Sequence, residues 1–251
     1  MTWSKKIAFA FYSLFGLISA FLFSWIVLAQ VDFGYSGLYE VMDIKAHVKK
    51  FGPQNRYRRY FHLTTKDEHE RLFSAINDAI HNDGKGLDEL VYHTPKGQKL
   101  NTLLRVPEVV HLKDVANLVN VFFWVGGIAF LLWLAATIYF FTKRIELPSV
   151  KIQSVSILAL CAVGTVITLI IGPVTVFYAF HEWLFPENHQ WFFYYQESLM
   201  TILMKAPFLF GYIAILLVVL ALIVFVGVNW MLARVERRLI DLKAVDNTVK
   251  V

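Results

Sequence analysis

Four long apolar runs constrain the fold of this chain more than any other feature of its sequence. They cover about residues 7–30, 115–141, 152–180 and 207–233, and each is long enough to cross a hydrocarbon core of about 30 Å as a helix. Apolar residues make up 57% of the 251 residues and charged residues only 17%, whereas soluble domains carry about a quarter charged residues. The sequence therefore predicts an all-α membrane protein with four transmembrane helices.

Lys and Arg residues flank these runs on one side of the membrane. They precede the first run, lie between the second and third, and follow the fourth. Because short cytosolic flanks carry such residues, we expect both termini in the cytosol and the two larger polar segments outside. The first run, Ile7 to Ala29, is long for a signal peptide and lacks a clear small-x-small cleavage site, so it is interpreted as a retained span. The net charge of +5 reflects this topology signal, and no nucleic-acid partner is expected.

The spans and flanks divide the chain into eight segments. These are a first transmembrane helix (1–30), an extracellular cap (31–113), a second transmembrane helix (114–142), a cytosolic loop (143–151), a third transmembrane helix (152–180), an aromatic-rich extracellular segment (181–206), a fourth transmembrane helix (207–233) and a cytosolic tail (234–251). The cap is expected to be a small α+β unit on a four-helix bundle.

Two elements are predicted within the cap. Residues 66–81 have the spacing of an amphipathic helix, with Leu72, Phe73, Ile76 and Ile80 on one stripe. Residues 89–93 and 99–105 have strand character on either side of a Pro-Lys-Gly turn, which is a hairpin signal.

Two histidines bracket the hairpin formed by the second and third spans. Counted from the cytosolic end, His111 lies 32 residues from Lys143 and His181 lies 30 residues from Lys151. At about 1.5 Å per helical residue these distances are roughly 48 and 45 Å, more than the hydrocarbon thickness of about 30 Å. Both histidines are therefore expected at the same height on the outer side, where they are the candidate catalytic pair for acid-base chemistry on a lipid-like substrate.

Carboxylates accompany the first histidine. Glu108, His111 and Asp114 share one face if this segment is helical, since they are spaced at i, i+3 and i+6. Pro107 suits a helix N-terminus, so Glu108 and Asp114 could instead be capping residues. As candidate site residues they are assigned a supporting role.

Aromatic residues accompany the second histidine. Glu182 follows His181 directly and is the third supporting candidate. The candidate residues of a substrate pocket are Trp183, Phe185, Trp191, Phe193 and Tyr194. The alternative is an aromatic belt at the membrane interface, a common feature of membrane proteins.

Other chemistries have weaker support in the sequence. A zinc site of His111, His181 and a carboxylate is conceivable, but there is no HExxH motif, and neither a metal nor another cofactor is expected. The single cysteine, Cys161, can form no intrachain disulfide. A Ser-His-Asp hydrolase is not indicated, because GxSxG is absent.

Several short motifs resemble those of the lipoprotein intramolecular transacylases, a family of bacterial inner-membrane proteins. The matching pieces are HLKDV at 111–115, FHEWLF at 180–185, Trp191-x-Phe193 and Ser198-Leu199. The plan of four spans with an extracellular cap extends the resemblance over nearly the whole chain. The family's two catalytic histidines correspond to His111 and His181.

The resemblance implies a membrane acyltransferase. It would move the sn-2 acyl chain of a diacylglyceryl lipoprotein to the amino group of its N-terminal cysteine, leaving a lyso-form lipoprotein in the bacterial cytoplasmic membrane. The substrate lipoprotein and membrane lipid are the expected partners. The residues suit this chemistry, because a histidine of pKa about 6.5 can accept the proton of an amine of pKa about 8. The alternatives are a non-enzymatic assembly or partner-binding membrane protein and a metal-dependent membrane hydrolase.

Overall fold

The computed structural model describes residues 3–249, without the side chains of residue 4 and residues 242–249. Helices dominate it, and the only sheet among the described residues has two strands. The elements are α1 (Trp3–Ala29), α2 (Tyr35–Val41), α3 (Ile44–Phe51), α4 (Lys66–Ile80), β1 (Val91–His93), β2 (Lys99–Thr102), α5 (Val106–Lys143), α6 (Val150–Ile171), α7 (Pro173–Leu184), α8 (Leu199–Met204) and α9 (Phe208–Val249), with four short 3₁₀ turns between them.

Four helices, α1, α5, α6 and α9, are long and apolar enough to cross a membrane. Along α6, large side chains such as Leu160, Leu169 and Ile170 are more than half exposed. Continuous apolar exposure of this kind marks a surface that contacts lipid. The predicted fold class, four transmembrane helices with a small α+β portion, is confirmed.

The chain packs as two units. The first combines the residues up to Trp25, residues Trp124–Ile170 and the residues from Leu217 onward. The second combines Ile26–Phe123 and Ile171–Leu216. All residues of the candidate site lie in the second unit.

Small residues and interhelical hydrogen bonds characterise the first unit. A Cβ atom at Gly126 would lie 2.9 Å from the side chain of Leu22, so only glycine allows the two helices to approach this closely. The Ser13 hydroxyl donates to Oε1 of Gln153 at 2.8 Å. Such a bond satisfies polar groups that would otherwise face hydrocarbon.

The core of the second unit is built around α4. Leu72, Phe73 and Ile76 are buried, as the amphipathic pattern predicts. Tyr35 stacks on Phe73 with 4.1 Å between ring centroids, and the side chain of Thr65 caps the first turn of the helix. The predicted cap helix is thus confirmed, and its apolar stripe forms the centre of this core.

The hairpin of β1 and β2 is antiparallel and pairs Val91 with Thr102. Its turn contains Gly97, whose φ of 78° lies in the left-handed region that favours glycine. The strands are shorter than residues 89–93 and 99–105, although the Leu103 N–H still donates to the Leu90 carbonyl at 2.7 Å.

Two features of the fold are absent from the hydropathy pattern. The helix over the predicted third span is interrupted at Gly172, where φ is 96° and ψ is 126°, and Pro173 starts the separate helix α7. The segment after α7 ends in α8, whose six residues are all buried.

Candidate active site

The site starts at the beginning of α5. Oε2 of Glu108 accepts the backbone N–H of Arg105, the residue before the helix, at 2.8 Å. This contact satisfies a donor near the helix end that has no partner within the helix. It anchors the first turn of α5, and His111 follows on the next turn.

Helix α7 carries His181 in its last turn. Nδ1 of His181 lies 2.8 Å from the carbonyl oxygen of Phe177, four residues earlier. A carbonyl oxygen can only accept a hydrogen bond, so Nδ1 carries the proton and donates it. In the neutral ring the free lone pair is therefore on Nε2, which is the basic atom of His181.

The two histidine rings lie side by side, with 6.3 Å between their centroids and 33° between their planes. His111 is buried, and its Nδ1 has no hydrogen-bond partner among the described residues. His181 is half-buried. The structure thus brings together the two residues that the hairpin geometry predicts to meet, whereas their catalytic role stays a prediction.

Aromatic rings surround the histidine pair. Phe185 lies 4.8 Å from His111 and 5.3 Å from His181, measured between ring centroids. Phe193 lies 6.1 Å from His111, and Trp191 lies 5.0 Å from His181. Phe185 and Phe193 are buried. Three of the five predicted pocket residues therefore line the site.

The other predicted residues of this segment do not line the site around the histidine pair. The side chains of Trp183 and Tyr194 are 81% and 61% exposed. Tyr194 contacts the ring of Phe192 at 5.0 Å, and Glu182 is exposed. These side chains belong to the outer surface of the segment.

Glu108 is completely buried and links the starts of two helices. Besides the Arg105 backbone, its carboxylate accepts Nε of Arg105 at 3.2 Å and the hydroxyl of Ser198. Ser198 in turn caps α8 by accepting the N–H of Thr201 at 3.0 Å. The sequence left open whether Glu108 supports the site or caps the helix, and the structure shows the capping contact.

Arg105 also contacts aromatic residues next to the pair. Its guanidinium lies 4.5 Å from the ring centroid of Tyr57 and 5.9 Å from that of Phe193. A cation over an aromatic face is attracted by the ring quadrupole. Sequence reasoning assigned no role to Arg105 or Ser198, although Arg105 stands directly before the Val-Pro-Glu signal of a helix start.

Asp114 pairs with His189, a histidine of the aromatic segment to which the sequence assigned no role in the site. Oδ2 of Asp114 lies 2.6 Å from Nδ1 of His189, and both side chains are partly exposed. The pair connects α5 to the loop after α7, one turn beyond His111. Loop residues have no periodicity from which such a contact could be read.

Burial affects the protonation of His181. Desolvation lowers the pKa of His181 below its ordinary value of 6.5, and the contact with the Phe177 carbonyl opposes this only in part. Aromatic and apolar surroundings disfavour the charged imidazolium. At neutral pH His181 is therefore a neutral ring with a free Nε2 lone pair.

The ligand set of a metal site does not come together. In the part of the chain that the structure describes, no three His, Cys, Asp or Glu side chains are arranged so that they could hold a metal ion. The carboxylate nearest in sequence after His111, that of Asp114, contacts His189 instead.

The fold and the site define a class of protein: a four-span membrane protein with a histidine pair in an aromatic setting. The family model for "Lipoprotein intramolecular transacylase Lit" matches residues 87–209, a stretch that contains both histidines, Glu108, Asp114 and Ser198. This matched stretch, just under half of the chain, is similar to that family. Because the family is one of enzymes, the prediction of an acyltransferase is confirmed over that of a non-enzymatic binding protein.

Solved structures share the fold over nearly the full chain. One is the membrane integral lipoprotein intramolecular transacylase Lit from Bacillus cereus, with 17% identity, a TM-score of 0.64, and coverage of 96% of this chain and 97% of that one. A variant of the same protein with a histidine replaced by arginine matches with 17% identity, a TM-score of 0.64, and coverage of 96% and 94%. No curated protein matches the sequence.

Proposed function

We propose that the histidine pair catalyses acyl transfer within one diacylglyceryl lipoprotein. The sn-2 acyl chain moves to the α-amino group of the N-terminal cysteine and leaves a lyso-form lipoprotein. The enzyme takes its substrate from the surrounding membrane lipid and acts in the bacterial cytoplasmic membrane. The match to the family model over residues 87–209 and the geometry around His181 support this proposal.

His181 is the general base in this mechanism. Its Nε2 lone pair accepts a proton from the attacking amine, whose unperturbed pKa is about 8. The amine nitrogen then forms a bond to the ester carbonyl carbon. Support comes from the 2.8 Å contact of Nδ1 with the Phe177 carbonyl, which keeps the proton on Nδ1 and leaves Nε2 free.

His111 stabilises the tetrahedral intermediate. Attack places negative charge on the former carbonyl oxygen, and an N–H of the neutral His111 ring donates to that oxygen. The intermediate collapses when the bond to the glyceryl oxygen breaks, and His181 returns its proton to that oxygen. Every proton is thereby accounted for, and no covalent enzyme intermediate is needed.

The rings of Phe185, Trp191 and Phe193 keep water away from the reacting groups. Water would otherwise hydrolyse the ester, and an apolar enclosure also strengthens each electrostatic contact. The same enclosure holds the amine close to the ester, so the reaction does not depend on a bimolecular encounter.

The observation that carries the proposal is the pairing of His181, with its free Nε2, and His111 at 6.3 Å. The test is to express the chain in bacteria that make only diacylglyceryl lipoproteins with free N-termini and to analyse lipoprotein N-termini by mass spectrometry. Appearance of the lyso-form with N-acylated cysteine supports the proposal, and unchanged diacylglyceryl lipoprotein contradicts it.

The orientation in the membrane belongs to the same proposal. Both termini and the loop at 143–151 lie in the cytosol, and residues 31–113 and 181–206 lie outside. In a Cys161→Ala background, Asn82→Cys should react with an impermeant maleimide in intact cells, whereas Ser149→Cys should react only after lysis. The reverse pattern would invert the orientation.

A pH profile tests the role assigned to His181. Since burial lowers the pKa of His181 and the neutral ring is the base, the limb of the kcat profile that reports His181 should lie below pH 6.5. The substrate amine, of unperturbed pKa about 8, produces a separate limb where it becomes protonated. His111 is the one titratable ring that contacts His181 among the described residues. Replacing Trp191 by Leu admits water to His181 and should move the acidic limb up toward its ordinary pKa. An acidic limb that stays at the same pH in the Trp191→Leu enzyme would argue against His181 as the base.

A further inference from the structure

A separate basic cavity lies in the second unit, around the start of α4. Its volume is about 250 Å³, smaller than the roughly 300–1,000 Å³ of pockets that hold drug-sized ligands. The lining residues include Lys45, Lys49, His62, Thr64, Lys66 and His69. They include three lysines and two histidines but no carboxylate, and none of them belongs to the histidine-pair site.

The lysine charges around this cavity are compensated unequally. Lys66 forms ion pairs with Glu40 and Glu70. Lys45 and Lys49 have no ion-pair partner among the described residues, and they stand four residues apart on α3. Like charges at this spacing repel each other on a helix, so an anion between them would relieve the repulsion.

The inner wall of the cavity is polar and ordered. His69 is buried, and its two ring nitrogens contact the Tyr39 hydroxyl at 2.9 Å and the Thr64 hydroxyl at 2.6 Å. Burial lowers the pKa of His69 to about 4, so this ring is neutral and the positive charge comes from the lysines. Nδ1 of His62 is buried without a partner among the described residues.

We propose that this cavity binds a phosphate group through Lys45 and Lys49. A phosphate offers several charged oxygens to these ammonium groups, and hydrogen bonds between ionised partners are about twice as strong as neutral ones. The small volume suits a headgroup rather than an acyl chain. The phosphate belongs either to an anionic lipid or to a free ion, and the two sources are separated by experiment.

The full chain in a neutral detergent is titrated with short-chain phosphatidylglycerol, short-chain diacylglycerol or inorganic phosphate, and the thermal midpoint is followed. A ligand that binds only the folded state raises this midpoint. Phosphatidylglycerol should raise it and diacylglycerol should not. An equal rise with inorganic phosphate identifies a free ion as sufficient, and a rise with the lipid alone identifies the headgroup.

The double variant Lys45→Ala/Lys49→Ala should bind the effective probe at least about tenfold more weakly, which corresponds to 1.4 kcal/mol. Lys50→Ala/Lys85→Ala removes two lysines outside the cavity and is the matched control, and Lys45→Arg/Lys49→Arg should keep most of the affinity. The proposal is overturned if the first double variant and its control bind equally, or if diacylglycerol stabilises as well as phosphatidylglycerol.

Discussion

Replacement of His181 by alanine is expected to reduce acyl transfer by about 10²–10⁴-fold, the usual contribution of a general acid-base residue. Alanine removes the Nε2 lone pair that accepts the amine proton, but it leaves the aromatic residues in place. His111→Ala should cause a loss of similar size, because it removes the donor to the developing oxyanion. The measurement is the ratio of lyso-form to diacylglyceryl lipoprotein by mass, normalised to the amount of inserted protein.

The double variant and a matched control sharpen this prediction. Groups that act as a unit are not additive, so His111→Ala/His181→Ala should be little worse than either single variant. His93→Ala is the control, since His93 contacts Glu68 and lies on the hairpin strand β1. His189 is unsuitable as a control because it contacts Asp114. Full activity of either single variant would show that the two histidines do not act as a catalytic pair.

Glu108→Ala is expected to cost about 3 kcal/mol of folding stability, near the lower end of what removal of one partner from a buried ion pair costs. The substitution leaves three donors without their acceptor: the Ser198 hydroxyl, the Arg105 side chain and the Arg105 backbone N–H. Arg105 keeps some exposure to solvent, with 16% of its side chain accessible, which limits the loss. The thermal midpoint of the purified protein at one scan rate measures the effect.

Two further variants separate this loss from a general effect of removing a carboxylate. Glu182→Ala removes an exposed carboxylate of α7 and should leave the midpoint unchanged. Glu108→Gln keeps an acceptor for Ser198 but loses the charge facing Arg105. Its thermal midpoint should therefore lie between those of Glu108→Ala and Glu182→Ala. If Glu108→Ala and Glu182→Ala have the same thermal midpoint, the buried carboxylate does not hold the starts of α5 and α8 together.

The meeting of His111 and His181 could be predicted from residue counts alone. Helical rise is nearly constant and the loop between the spans is short, so residue number translates directly into height. The amphipathic helix α4 was predictable for a similar reason, because its apolar residues repeat with the helical period. Both predictions rest on regular geometry over many residues.

Contacts that depend on irregular segments could not be predicted in this way. Ser198 and Glu108 meet through a short helix whose position follows from tertiary packing, and His189 reaches Asp114 from a loop. The same limit applies to Trp183 and Tyr194, whose exposure depends on the path of the chain after α7. Composition showed that this segment is aromatic, but it could not show which rings turn toward the histidines.

The interruption at Gly172 had a local signal within the third apolar run. A Gly-Pro pair commonly marks a turn, and Pro173 cannot supply an N–H to the helix before it. Hydropathy averages over such pairs, since it counts apolar character and ignores the backbone. His181 therefore lies on a short helix of its own rather than at the end of a continuous span.

The contact between His181 and the Phe177 carbonyl also makes the two nitrogens of this ring unequal toward electrophiles. Nδ1 is occupied by its hydrogen bond within α7, so an activated ester or alkylating lipid analogue that enters the site meets only Nε2. Covalent probes of the enzyme would thus form a single regioisomer, distinguishable by fragmentation of the labelled peptide. A reactive ligand aligned to Nε2 would modify the base itself, whereas one aligned to Nδ1 would first have to break the side-chain hydrogen bond to the Phe177 carbonyl.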